Sequence, residues 1–365
     1  MIRQFYLKGK NQMKSITKSI GEYRSMSADD KKRYRRELLI DNSLYIFLVG
    51  AIVIIGFTNP MFLSLPSLVN IISLSAANLP IALGIAGCII LTGTDLSAGR
   101  IVGLTACVAA SLLQMTGYAN KMFKDLDTFP VWAVFILVLA IGAIIGLLNG
   151  FCTAKFHLHP FIVTLATQLI TYGILLMYLM NGDNNGQSIS GLDEGYTKLV
   201  TGSLIKFGDV ALPNFVLLSA AVTAIMWVIW NKTAFGKNMF AVGANEEAAR
   251  VSGVNTTRTV ILVFMLAGMM YGITGFIEAA RIGSNSASTG LNYELDAIAA
   301  CVIGGVSFVG GIGKIRGVIT GVVLLRIIFV GLTFLQIDSN LQYVIKGVII
   351  LVACALDMRK YLVRK

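Results

Sequence analysis

The amino-acid sequence predicts an all-α polytopic membrane protein of about ten transmembrane helices, some of them broken. Composition is the first reason: of 365 residues 56% are hydrophobic and 13% charged, about half the charge of an ordinary soluble domain. The second is the length of the apolar runs. A helix needs about 20 mostly apolar residues to cross about 30 Å of hydrocarbon. Such runs lie at 44–63, 68–91, 99–117, 131–151, 160–180, 213–230, 259–280, 295–313, 317–336 and 341–357. The third is charge asymmetry. If the chain starts inside and crosses at every run, 23 Lys and Arg fall on the cytoplasmic side and 5 on the other, so both termini are expected in the cytoplasm.

In chain order, residues 1–43 form a basic N-terminal tail with "KKRYRR" at 31–36 and no apolar run of signal-peptide length. Basic residues beside a span set topology or meet anionic lipid headgroups, so no nucleic-acid partner is expected. A transmembrane domain is expected over 44–357 and a short cytoplasmic tail over 358–365. Between the second and third runs, "TGTDLSAG" at 92–99 interrupts the apolar pattern. Asp95 or Ser97 can cap a restarted helix there, and Gly99 permits tight packing. Gly142 and Gly146, like Gly317 and Gly321, are small residues four apart that let helix backbones approach in lipid. "KFHLHP", holding His157 and His159, reads as a turn before Pro160, and the five cysteines lack C-x-x-C spacing; no metal site is expected.

The loop at 231–258 contains a short helix with its own punctuation. Asn245 can cap its start, Glu246 and Glu247 suit the positive end of its dipole, Ala248 and Ala249 favour helix, and Gly253 can end it in the left-handed conformation. About two turns of helix are marginal alone in water, so a covering surface is expected, either a partner or the protein's own bundle. Further on, "IGGVSFVGGIG" makes the run at 295–313 either a full span or a re-entrant segment. "FVGGIGKI" fails the phosphate-loop pattern, with Phe308 in place of the first glycine and Ile315 in place of the hydroxyl residue, so the chain is expected to carry no ATP site and no cofactor. The acids Asp95, Glu278, Glu294 and Asp296 lie near span ends, which argues against an ion-coupled carrier. Arg326 stands near the middle of its run and is read as snorkelling, as paired within the bundle, or as touching the substrate.

"TGTDLSAGRIVGL" (92–104), "WNKTAFGKNMFAVGANEEAARVSGVN" (230–255) and "NYELDAIAACVIGGVSFVGGIGKIRGVITG" (292–321) resemble, in order, the permease subunits of bacterial ABC importers for ribose, xylose, arabinose and galactose. The first of them is most like the galactose/methyl-galactoside branch. The resemblance implies the ABC importer permease fold, in which two five-helix halves are inverted. It implies a non-enzymatic transport subunit of the inner membrane that pairs with a second copy, receives a monosaccharide from a periplasmic binding protein and is driven by a cytoplasmic ATPase with two nucleotide-binding domains. ATP and Mg would then sit on that partner. It also implies that Asn245, Glu246, Glu247, Ala248, Ala249, Arg250 and Gly253 form the helix coupling to the ATPase, and that Asp95, Ser97, Gly99 and Arg326 belong to the gate or translocation path. Phe329 and Val330 precede Gly331 and Leu332 where such permeases often carry an Asn, so the path is expected to be lined differently near Arg326. Another monosaccharide, or an ion-coupled sugar carrier, is the alternative function.

Overall fold

The computed structural model describes residues 27, 31, 43–208 and 210–362. Apart from residues 27 and 31, the basic tail up to residue 42 lies outside the described residues, as do the last three residues of the expected C-terminal tail. Two units are distinguished, Met1–Ile54 and Ile55–Lys365. In the first, residues 43–54 are the opening turns of α1 (Ser43–Thr58). The rest of this description concerns the second.

Each remaining apolar run carries a helix: α2 (Leu65–Ile90), α3 (Ala98–Leu112), α4 (Val131–Phe156) and α5 (Pro160–Leu179), followed after α6 (Glu194–Thr201) and the hairpin of β1 (Ile205–Phe207) and β2 (Val210–Leu212) by α7 (Asn214–Lys232). The former loop at 231–258 holds α8 (Ala234–Ala244) and α9 (Glu246–Val251), and α10 (Thr256–Ile282), α11 (Tyr293–Ile303), α12 (Ile315–Phe334) and α13 (Ser339–Leu362) complete the chain. Six of these, α2, α4, α5, α7, α10 and α12, are long and apolar enough to cross a membrane. With 15 and 11 residues, α3 and α11 rise only about 22 and 16 Å, too short to cross. The run at 295–313 is therefore no continuous span. Its glycines end the helix early, with Gly305, Gly310 and Gly311 all at positive φ.

The core is built around α2 and α10, each with 67% of its apolar window buried, against 22% for α4. Close approach is possible because glycines face backbone. A Cβ on Gly268 of α10 would lie 1.9 Å from the Gly142 carbonyl of α4, and one on Gly321 of α12 would lie 1.9 Å from the Ala300 carbonyl of α11. Pro80 inside α2 cannot donate to the Ala76 carbonyl one turn back. The Ser219 hydroxyl of α7 donates to that carbonyl instead, at 2.7 Å, so a proline break deep in the bundle is satisfied by a neighbouring helix. α10 lies on α3 and α4, while α2 lies on α11 and α12.

Candidate functional site

After α2 the chain turns sharply. Thr92, a β-branched residue, sits at φ 60°, a position where helix ends usually place glycine. Its N–H bonds to the Ile89 carbonyl and that of Gly93 to the Cys88 carbonyl, the paired bonds of a Schellman cap. The chain then reaches Asp95, which is fully buried. Its Oδ1 accepts the Ser97 N–H at 3.0 Å and the Ser97 hydroxyl at 2.6 Å, and its Oδ2 accepts the Tyr271 hydroxyl of α10 at 3.1 Å. Asn149 of α4 donates to Ser97 Oγ at 3.0 Å and accepts the Thr167 hydroxyl of α5 at 2.6 Å. The Thr164 hydroxyl accepts the Leu96 N–H and donates to the Thr94 carbonyl, both at 3.1 Å. Three helices therefore clamp the break through polar groups that burial makes costly to leave unpaired.

This corrects the capping expectation. Ser97 occupies the N-cap position of α3 but makes no cap bond, because its backbone is already helical (φ −75°, ψ −14°) and its hydroxyl is held by Asp95 and Asn149. The one backbone N–H that Asp95 accepts is that of Ser97, which precedes the helix. Gly99, in contrast, performs the packing role expected of it. A Cβ there would stand 2.0 Å from Glu294 Oε2 and 2.4 Å from the Gly290 carbonyl, so the start of α3 lies directly on the start of α11. Arg100 does not pair with Asp95; it donates to the Ala287 carbonyl at 3.1 Å and stacks 4.1 Å over the Tyr172 ring.

Two residues along α11, on its other side, Asp296 faces Arg326 of α12 at 3.5 Å and Lys346 of α13 at 2.6 Å. Arg326 is thus paired within the bundle, through one long contact. The four gate and path candidates fall into two clusters, one on either side of α11. Asn149, Thr164, Thr167 and Tyr271 escaped sequence reasoning; a polar residue within an apolar run was the one signal they offered.

The short helix at 246–251 forms as its punctuation foretold. Asn245 Oδ1 accepts the Ala248 N–H at 2.8 Å, Arg250 pairs with Glu246 at 3.1 Å and Glu247 at 3.5 Å, and Gly253 has φ 84°. Its faces are unequal. Ala249 is 4% exposed, turned into the protein's own bundle, whereas Val251 is 85% exposed and Ala248 also faces outward. Just before α9, Gly243 at the end of α8 is wedged against the end of α2: a Cβ there would lie 1.8 Å from the Ile90 carbonyl. That same carbonyl accepts the Gly311 N–H at 2.8 Å from the irregular stretch after α11. The phosphate-loop look-alike at 308–315 is therefore a packing element on α2. Beside this junction lies a cavity of about 460 Å³ lined by Thr92, His157, His159, Asn245 and Glu246 among others.

A permease family described as "Branched-chain amino acid transport system / permease component" matches residues 67–354. The chain belongs to this permease family. It is a multi-pass membrane transport component rather than an enzyme. Among its relatives, the galactose/methyl galactoside import permease protein of Escherichia coli is 47% identical over 341 residues, covering 93% of this chain and 100% of the relative. Its counterpart in Treponema pallidum is 39% identical over 90% of this chain and 64% of the relative. The ribose import permease protein of Bacillus subtilis is 36% identical over 85% of this chain and 90% of the relative.

Proposed function

We propose that this permease is the transmembrane subunit of an ATP-driven ABC importer of galactose or methyl galactoside. It works as a pair of copies in the bacterial inner membrane with both termini cytoplasmic, takes the sugar from a periplasmic binding protein, and is driven by an ATPase with two nucleotide-binding domains. ATP and Mg belong to that ATPase. The observation carrying the sugar assignment is the 47% identity along the full length of a galactose/methyl galactoside permease, against 36% to a ribose permease.

What supports the mechanism is the junction at Gly243. A short capped helix anchored by Ala249 moves as one piece with α8, and the Gly243 backbone bears on the Ile90 carbonyl without any intervening side chain. Displacement of α9 by the ATPase then reaches two places at once, the clamped break of Asp95, Ser97 and Gly99 and the irregular stretch after α11. Discrete hydrogen-bond networks of this kind hold two arrangements better than a continuum of them. Arg326 belongs to the translocation path in this reading.

The test is galactose uptake by cells carrying the permease, ATPase and binding protein, with the proton gradient collapsed and ATP maintained. Uptake persists if the reading is right; loss of uptake under those conditions would establish an ion-coupled carrier.

A further inference from the structure

One cluster is not explained by helix packing. Asn78 of α2 is 7% exposed, and while its Nδ2 donates to the Leu74 carbonyl at 2.9 Å, its Oδ1 is buried without a partner. It lines a void of about 10 Å³ together with Asp296 and Arg326, which is the space of one oxygen atom with its hydrogens. Among the described residues, the Arg326 guanidinium makes one hydrogen bond, a long one of 3.5 Å to Asp296 Oδ2, and so keeps most of its five donors. Lys346 stands 2.6 Å from Asp296 Oδ1 as an ion pair without the geometry of a directed hydrogen bond, and lies over the Phe329 ring at 4.9 Å and the Tyr343 ring at 5.3 Å.

The chemistry around the void selects its occupant. An orphan acceptor on one side and an under-used donor on the other match a group that both donates and accepts. A cation is repelled by two basic side chains, and an anion cannot satisfy the Asn78 oxygen. A neutral O–H group, of a water or of a sugar, satisfies both. The position of the cluster says where that hydroxyl comes from. Arg326 is about 16 Å along α12 from its start, near mid-membrane. Arg326 and Lys346 keep 16% and 17% of their side-chain surface exposed, although neighbouring residues of α13 such as Val344 and Val348 present a hydrocarbon surface. Ionisable groups at that depth face one another or a water-filled path rather than lipid.

We propose that Asn78, Asp296, Arg326 and Lys346 form a sugar-hydroxyl subsite on the translocation path, with Phe329 and Tyr343 as its apolar border. The inference rests on the importer reading above. It names the side chains at which the moving monosaccharide is met by hydrogen bonds.

Asn78→Leu tests it, because the two readings of Asn78 predict opposite results. Removing a buried, unpaired acceptor is neutral or stabilising if nothing binds there. As a sugar contact, its loss lowers galactose uptake about tenfold at unchanged permease abundance. Uptake of galactose and its 2-, 3-, 4- and 6-deoxy analogues is measured with the same binding protein for wild type, Asn78→Leu and Arg326→Lys. The expected result is that wild type discriminates against one deoxy analogue and the variants lose that discrimination. Wild-type relative rates in both variants overturn the proposal, and so does an equal loss for every sugar, which marks a purely structural role. Wild type that imports no galactose refutes the sugar assignment instead, and the deoxy series is then run on the monosaccharide it does import.

Discussion

Gly243→Ala is the sharpest test of the transmission proposed between the ATPase and the break after α2. The new Cβ would stand 1.8 Å from the Ile90 carbonyl oxygen and 2.8 Å from Gly311 N, whereas ordinary contact begins at 3.4 Å. The end of α8 must therefore retreat from α2 by about 1.6 Å, since both partners are backbone and no side chain can rotate away. Overpacking of this kind costs about 1–3 kcal/mol. Retreat also strains the 2.8 Å bond from Gly311 N–H to Ile90, and a buried donor left unmade costs about 1–3 kcal/mol more. The outward face of α9 is untouched, so the ATPase should still bind. In reconstituted complex, uptake is expected to fall at least about tenfold while ATP hydrolysis continues, with co-purification of the ATPase unchanged, because a lost coupling term of about 1.4 kcal/mol is already tenfold. Uptake above half of wild type, at equal permease abundance, would refute the Gly243 junction as the transmission point.

Three further outcomes are expected. Ala248→Trp on the outer face of α9 should abolish co-purification of the ATPase while the permease stays abundant; Ala249→Trp, turned into the protein's own bundle, should instead lower permease abundance, and a reversal of the two phenotypes would mean that the face is misassigned. Asp95→Leu removes the acceptor of three buried hydrogen bonds and should destabilise the detergent-solubilised permease by several kcal/mol, whereas Asp95→Asn retains the shape and should cost about 1–3 kcal/mol; equal melting temperatures for both variants and wild type would show that the network contributes nothing. In a cysteine-free background, a cysteine at Leu204 should react with an impermeant maleimide from outside the cell and one at Val251 should not, with the opposite pattern overturning the assigned orientation.

Where the sequence spoke clearly, the physics was local. The apolar runs that became α2, α4, α5, α7, α10 and α12 needed only a residue count against the thickness of hydrocarbon. Asn245 and Gly253 could be read as helix punctuation because a cap bond spans three residues and a left-handed end depends on one backbone. Run length misled at 295–313, since hydropathy counts greasy residues whether or not the glycines among them let the helix continue.

The partners of the site were of another kind. Asp95 meets Tyr271 across 176 positions of chain, and Ser97 meets Asn149 across 52. The face on which Ala249 lies could not be read from a helix of six residues, which is too short for periodicity to set an inside and an outside. Arg326 announced itself as a charge in an apolar run, yet its carboxylate partner Asp296 is 30 residues away on a helix whose end only packing determined. Sequence fixes which groups lipid will not tolerate alone. Which groups relieve one another is decided where helices cross, because a buried charge or hydroxyl takes whichever complementary atom the close-packed glycines bring within about 3 Å.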